Sequence, residues 1–184
     1  MKRSTIILFT ALVVLSMVLA ACQPAQKAEE KYTVATDATW PPFEIVNEST
    51  KEVEGFDIDL LKAVAEKAGI QIEFVNIPFD SVLTGLSQCQ YDMAISSITI
   101  TDERKKTMAF SDPYFEAGQI IAVAADNGDI KSKDDLKGKK TGAQLGTTGE
   151  IEANAIEGVE YKAYDSIDLA FLDVIAGQLD AVIS

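Results

Sequence analysis

The sequence predicts an α/β fold of two units, and three observations support this class. Strand-like and helix-like segments alternate from residue 32 to residue 96, which is typical of a parallel sheet covered by helices. A second alternation occupies the last third of the chain. The long extended run FEAGQIIAVAA, residues 115–125, lies between them and is interpreted as a bridge. The predicted boundaries are residues 32–115 for the first unit and 116–184 for the second.

The first unit opens with YTVAT, an alternating, β-rich strand. Two prolines in DATWPPFE then interrupt regular structure, and FEIV and VEGF flank a polar turn that predicts a small hairpin. Asp57 is predicted to cap a helix that ends at Gly69. Its expected buried stripe comprises Leu61, Val64, Ala65 and Ala68. The strand IQIEFVN, a short helix over residues 81–87 and the strand YDMAIS complete this unit.

The second unit repeats the alternation. SKDDLKG predicts a short capped helix, KKTGA a strand, and QLGTTGE a loop that enters another helix. VEYKAYD predicts a further strand, and residues 166–176 a helix that Gly177 stops. The apolar positions of that helix follow the helical period: Ile167, Ala170, Phe171, Val174 and Ile175. LDAVIS predicts a final strand.

Composition excludes several classes of function. The 184 residues carry a formal net charge of −13, which would repel nucleic acid. No histidine is present, so His-ligated metal sites and Ser-His-Asp catalysis are excluded. We expect no cofactor and no bound metal.

The first residues predict an export signal. A basic start at Lys2 and Arg3 precedes the uncharged apolar run Ile6 to Ala20, which is short for a membrane span. The run ends in LAAC, which resembles a bacterial lipobox. Residues 1–21 are then a lipoprotein signal peptide, Cys22 is lipidated, and residues 22–31 form a flexible tether. The alternative is a plain secretory signal with an unrelated cysteine. Cys89, the other cysteine, is interpreted as incidental.

Polar and aromatic residues follow three successive strands of the first unit. Parallel sheets bind ligands beyond the carboxyl ends of their strands, where DATW, PFD and SSIT converge. Thr101 can cap a helix whose first turn contains Asp102 and Glu103. Arg104 lies one turn from the sheet edge, where its guanidinium can hold a carboxylate by two parallel hydrogen bonds. The alternative is that DERKK is only a solvated charged face.

Three residues of these loops have two interpretations each. Trp40 and Phe79 could sandwich a ligand side chain or could pack in the core. Asp37 could receive an amide or ammonium from a ligand or could cap the local turn. QLGTTGE presents Thr147 and Thr148 at a helix start but lacks the Gly-Lys-Ser/Thr end of a phosphate loop.

Together, VATDATWPPFE, GFDIDL, SSITITDERKKTMAFSDPYF and GTTGE resemble the polar amino-acid-binding proteins of ABC importers. The resemblance covers nearly all of residues 32–184. It implies a periplasmic-binding-protein-like fold, with two α/β lobes joined by a hinge around residues 114–118 and closing on one amino acid.

The resemblance also implies residue roles for the ligand's α-groups. Arg104 would clamp the α-carboxylate, with help from Thr99 and from the amide of Thr148. The carbonyl of Ser97 would meet the α-ammonium.

For the ligand side chain, the resemblance implies contacts from five residues. Ser96 would touch it, Trp40 and Phe79 would stack on it, and Asp37 would meet its polar end. Gln144 lies where residues of the second lobe contact it. A basic or amide side chain is favoured, with arginine, lysine, histidine and glutamine all open.

One departure from the family pattern concerns an aspartate that follows the DAVI strand and pairs with the ligand ammonium. The sequence ends at Ser184, just before that position. We therefore expect a C-terminally truncated fragment with an incomplete second lobe and weak binding of its own.

The predicted function is that of a monomeric, lipid-anchored, extracytoplasmic receptor that is not an enzyme. It would deliver an amino acid to the transmembrane subunits of an ABC permease. The alternatives are a dehydratase resembling cyclohexadienyl dehydratase, with Asp37 as its cleft carboxylate, and the sensing domain of a receptor.

Overall fold

Two β-sheets with packed helices and a small three-stranded ribbon make up residues 31–184, the part of the chain that the computed structural model describes. The strands are β1 (Lys31–Thr36), β2 (Thr39–Trp40), β3 (Glu44–Val46), β4 (Val53–Glu54), β5 (Gln71–Asn76), β6 (Met93–Ala94), β7 (Ile121–Ala122), β8 (Lys140–Gln144), β9 (Glu160–Tyr164) and β10 (Ala181–Ile183). The α-helices are α1 (Phe56–Ala68), α2 (Phe79–Ser87), α3 (Thr148–Asn154) and α4 (Ile167–Ile175). Arg104–Lys106 and Lys133–Leu136 form 3-10 turns.

The predicted export signal and its cysteine lie outside the described residues. The same holds for the predicted tether, apart from Lys31, which begins β1. No helix between residues 31 and 184 combines the length and the apolar character needed to cross a membrane.

The first sheet has the strand order β5-β1-β6, and all of its strands are parallel, as predicted. Val34 lies between Phe74 and Met93 in register, and its side chain is fully buried. This sheet with α1 and α2 is called lobe one. The third strand is shorter than the sequence predicts, because only Met93 and Ala94 of YDMAIS pair with β1.

The second sheet has the order β7-β10-β8-β9, and with α3 and α4 it is called lobe two. Strands β8, β9 and β10 are parallel, whereas β7 runs antiparallel to β10. The bridge contributes β7, and Ile120 exchanges two backbone hydrogen bonds with Ser184. Each face of the sheet carries an apolar cluster, one around Leu136 and the other around Ile167. The two-lobed α/β class is confirmed, while the boundary at residue 115 stays a prediction.

The ribbon has the antiparallel order β2-β3-β4. The hairpin of β3 and β4 was predicted, and β2 adds a strand that the sequence does not reveal. Two prolines directly follow Trp40 and conceal the strand pattern, yet Trp40 pairs with Glu44. The ribbon places Trp40 beside the end of β1.

The predicted cap and stripe of α1 are wrong in part. Gly55 occupies the cap position, and Asp57 lies in the first turn with a fully buried side chain. Ile58 and Ala65 form the buried face, whereas Val64 is 52% exposed. Gly69 ends the helix in the left-handed conformation, as predicted.

Two further predictions about helices need correction. The helix expected over residues 81–87 begins at Phe79, so that residue opens α2 instead of lying in a loop. In α4, Ile167, Ala170 and Val174 are buried, but Ile175 is 80% exposed. Helical periodicity identifies an apolar side, but the last residue of that side, Ile175, extends beyond the buried part.

Candidate functional site

Arg104 lies at the start of the 3-10 turn, and its guanidinium joins the two lobes. The Oγ1 of Thr101 accepts a hydrogen bond from the amide of Arg104 at 3.2 Å, but the predicted helix is only this three-residue turn, and Glu103 occupies its cap position. One guanidinium nitrogen donates to the carbonyl of Thr99 at 2.7 Å, and another donates to the carbonyl of Gly146 at 2.8 Å. Burial lowers the pKa of Arg104. Arg104 takes part in none of the ion pairs found within residues 31–184.

The ring of Phe79 packs against the guanidinium of Arg104. The Cζ of Arg104 lies 5.6 Å from the centre of the Phe79 ring, which is a cation–π distance. The Phe79 side chain is only 4% exposed, so it also packs in the core of lobe one. A half-buried cation on an aromatic ring, with carbonyls but no carboxylate as partners, is suited to an anionic group.

Asp37 follows β1 and is buried where the lobes meet. Its carboxylate accepts a hydrogen bond from the Nε2 of Gln144 in lobe two. Its backbone amide donates to the Oγ of Ser96 at 2.9 Å, which links the ends of β1 and β6. Burial raises the pKa of Asp37, and the hydrogen bond from Gln144 acts in the opposite direction.

Gln144 ends β8 and is fully buried. Besides its bond to Asp37, its Nε2 donates to the carbonyl of Asp165 at 3.0 Å. Its Oε1 accepts the indole N–H of Trp40 at 2.7 Å. The Trp40 ring also packs against the apolar cluster around Ile167, so it contacts the core of lobe two. One amide therefore orients Asp37 and Trp40 together.

Thr99 and Thr148 face each other across the lobes, with their hydroxyl oxygens 3.3 Å apart. Gln119, in the bridge, donates to the Oγ1 of Thr148 at 2.9 Å. Sequence reasoning missed Gln119 because an extended run carries no signal for which side chain turns inward. It also missed Glu150, whose carboxylate accepts from the amide of Gly146 at 2.7 Å and fixes that loop.

Ser96 and Ser97 connect the site to a buried pair of acids that the sequence analysis also missed. Ser97 has a positive φ of 48°, and its amide donates to the Oδ2 of Asp57 at 2.8 Å. The hydroxyls of Ser96 and Ser97 both donate to the carboxyl group of Glu44, each at 3.4 Å. Glu44 lies within VATDATWPPFE and Asp57 within GFDIDL, but Glu44 was assigned no role and Asp57 only that of a helix cap.

A cavity of about 870 Å³ lies beside these contacts. Six of the predicted ligand-binding residues line it: Trp40, Phe79, Ser96, Ser97, Thr99 and Thr148. The other three, Asp37, Arg104 and Gln144, lie where the lobes contact each other directly. The structure thus brings all nine residues to one junction, and their roles in binding stay predictions. Within residues 31–184, no cluster of three potential metal ligands occurs.

Comparison with known proteins gives a consistent result. Residues 32–154 match the bacterial extracellular solute-binding proteins, family 3. A probable histidine-binding protein from Neisseria gonorrhoeae is 37% identical over 168 residues, which are 89% of this chain and 62% of that protein. ABC transporter arginine-binding protein 1 from Escherichia coli K12 is 37% identical over 171 residues, covering 92% of this chain and 69% of the relative.

Solved structures agree with the fold. The arginine-bound form of truncated ArgBP from T. maritima superposes with a TM-score of 0.80 at 41% identity. The match covers 84% of this chain and 73% of that one. The chain spans about three fifths of the length of the N. gonorrhoeae relative.

Proposed function

Because the chain belongs to family 3 of the bacterial extracellular solute-binding proteins, we propose that it binds an amino acid between its two lobes. The proposed ligand has a basic or amide side chain, and arginine is the first candidate. The family consists of binding proteins, not enzymes. The observation that carries the proposal is the half-buried guanidinium of Arg104, which has carbonyl partners and no carboxylate among the described residues.

The ligand's α-carboxylate is proposed to bind Arg104. A guanidinium matches a carboxylate through two parallel hydrogen bonds, and charge assistance makes such bonds stronger than bonds to carbonyls. The carboxylate would therefore replace the carbonyl of Gly146 as a partner of Arg104. The hydroxyls of Thr99 and Thr148, 3.3 Å apart, would provide further donors at the same point.

The ligand side chain is proposed to lie against Trp40 and reach Asp37. Asp37 already accepts a hydrogen bond from an amide N–H, that of Gln144. A guanidinium or a side-chain amide presents the same kind of donor, and a guanidinium adds the opposite charge. Relatives named as arginine- or histidine-binding proteins support a cationic ligand, and a solved structure of an ancestral arginine-binding protein has glutamine bound.

Ligand entry requires the lobes to separate, because Arg104–Gly146 and Asp37–Gln144 are direct contacts between them. Closure on the ligand would then exchange these contacts for stronger ones, which links the free energies of closure and of binding. A monomer suffices for this cycle, since both halves of the site come from one chain.

The cellular role is proposed to be that of a receptor held at the membrane by a lipid on Cys22. The closed form would deliver the amino acid to an ABC import permease. This part rests on the LAAC motif and on the family, whose description places its members outside the cytoplasm.

The test is calorimetric titration of arginine into the mature protein as the cell produces it. Arg104→Ala should weaken binding by about 2 kcal/mol or more, at least roughly thirtyfold in Kd, because the buried carboxylate loses its charged partner. Lys105→Ala is the matched control, since that side chain is 58% exposed and its one ion pair within residues 31–184 is with Asp102, at 3.7 Å.

Two results would contradict the proposal. One is the absence of a thermal shift with all twenty amino acids, although a hundredfold excess over Kd should add about 2.7 kcal/mol of stability. The other is turnover of prephenate or arogenate, which would establish the dehydratase alternative. Equal losses in the Arg104 and Lys105 variants would refute the assigned role of Arg104.

A further inference from the structure

Glu44 and Asp57 form a buried pair of carboxyl groups beneath the serine loop, defined here as Ser96 and Ser97. Both side chains are fully buried, and Ser97 joins them, because its amide donates to Asp57 and its hydroxyl donates to Glu44. Neither residue belongs to any ion pair found between residues 31 and 184. Two adjacent ionised carboxylates without a cation would be costly at such a place.

The hydrogen bonds around Asp57 indicate how the two buried carboxyl groups avoid both being ionised. The Oδ2 of Asp57 accepts from the amide of Ser97 and, at 2.7 Å, from the hydroxyl of Tyr114. The Oδ1 of Asp57 is buried, and no conventional donor of the described residues reaches it. A proton on Glu44 supplies that missing donor. Like-charged carboxyl groups in one site commonly share a proton in this way.

We infer that Glu44 and Asp57 share one proton and act as positioning residues, holding the serine loop in its binding conformation. The inference rests on the proposed function, because Ser96 and Ser97 matter only if they contact a ligand. Asp57 receives the amide of Ser97, whose positive φ needs an external restraint. Glu44 receives both serine hydroxyls, and Ser96 in turn holds the backbone of Asp37.

The same pair reaches the start of the bridge through Tyr114. Hydrogen bonds to Asp57 therefore join the serine loop to the segment that leaves lobe one. Loss of the shared proton would place a second negative charge between these two segments. The expected consequence is a displaced serine loop and weaker ligand binding.

Every titratable group that faces Glu44 acts against its ionisation. Burial raises the pKa of Glu44 to about 9, and Asp57 from α1 and Asp37 after β1 act in the same direction. The hydrogen bond from the Ser97 hydroxyl has the opposite effect and lowers the pKa of Glu44. Tyr114 also faces the pair, and burial with the bond to Asp57 raises its pKa, so it stays protonated.

The experiment measures Kd for arginine between pH 7 and pH 10 in the complete mature protein. If binding requires the proton, Kd should be about tenfold weaker at pH 10 than at pH 7, since a group with a pKa of about 9 is then mostly ionised. Glu44→Gln keeps a donor to Asp57 at every pH, so this step should disappear. Glu44→Ala removes the donor and should weaken binding already at pH 7.

Controls separate this step from ionisation of the ligand, whose own α-amino group titrates in the same range. The readout is therefore the ratio of Kd values between the natural protein and Glu44→Gln at each pH. Glu48→Gln removes an exposed carboxylate of the same ribbon region and should keep the natural profile. Thermal denaturation adds a second readout. The free energy of unfolding should fall as pH rises from about 4.5 to about 9, because only the folded state retains the proton there.

Each outcome decides one question. If Kd for arginine depends on pH in the same way in the natural protein and in Glu44→Gln, the inference that Glu44 and Asp57 share a proton is overturned, whatever the absolute affinities. Failure of both proteins to bind any amino acid, with intact folding, overturns the proposed function instead. If Glu44→Gln does not fold, Asp57→Asn provides the same test, because its amide also donates to Glu44. Persistence of the tenfold step in Asp57→Asn refutes the inference.

Discussion

Gly146→Ala tests whether the contact between the lobes governs ligand binding. Gly146 has a φ of +78° and carries the carbonyl that accepts from Arg104 at 2.8 Å. A Cβ at this position would lie 3.2 Å from the Cα and 3.3 Å from the Cβ of Asp80, in α2 of lobe one. The substitution therefore has two effects, a local backbone strain and a clash across the lobes.

The two effects have different magnitudes and different controls. A non-glycine residue in the left-handed region costs about 1–2 kcal/mol, which lowers Tm by roughly 2–8 °C for a domain of this size. Gly138→Ala is the matched control, because its φ is +71° and nothing lies within 4 Å of the new Cβ. In Gly146→Ala, carbon atoms closer than about 3.5 Å repel. The lobes must then part by a few tenths of an ångström in the closed form, which opposes closure on a ligand.

In Gly146→Ala, the free energy of closing the lobes should become less favourable by about 1 kcal/mol, the magnitude of one hydrogen bond. Arginine should then bind with a roughly fivefold weaker Kd. Calorimetry with arginine and thermal denaturation of both variants measure the two effects. Both variants should lose similar stability, and only Gly146→Ala should lose affinity. Equal affinity in the two variants, or a greater loss in Gly138→Ala, would refute the reasoning.

Two further predictions concern the site and the anchor. Trp40 is the only tryptophan of the 184-residue sequence, and its indole donates to Gln144 across the lobes, so saturating arginine should change its fluorescence emission. Trp40→Phe identifies the signal, and an unchanged spectrum under conditions where calorimetry detects binding would show that Trp40 does not sense the ligand. Cys22→Ala should abolish metabolic labelling with a radioactive fatty acid and release the protein from the membrane fraction, whereas Cys89→Ala should retain the label. Absence of the label from the natural protein would favour the plain secretory signal, and a label that persists in Cys22→Ala would refute Cys22 as the lipidated residue.

The sequence was most informative where a local rule has a direct physical cause. Alternating strand and helix patterns predicted the parallel sheets, because each period follows from backbone geometry. Gly69 and Gly177 marked helix ends, since both adopt the left-handed conformation there. The rule that ligands bind at the carboxyl ends of parallel strands directed attention to the loops that carry Asp37, Phe79 and Arg104.

Local sequence rules failed where a side chain could form hydrogen bonds either with its own helix or with residues distant in the chain. Asp57 lies in the first turn of a helix, and its residue type suits a cap. Its carboxylate instead accepts bonds from Ser97 and Tyr114, which are 40 and 57 residues away. The same difficulty concealed Gln119 and the acid pair, because burial of a polar residue depends on partners that are distant in the chain.

The sequence by itself determined the α/β class, the order of the elements, and the loops that could contain a site. Only the tertiary structure decided which groups meet there. Gln144 and Asp37 are 107 residues apart, and only the packing of lobe two against lobe one brings their side chains into contact. Secondary structure follows from short-range periodicity and backbone sterics, whereas the partners of a buried charge follow from how two completed lobes pack together.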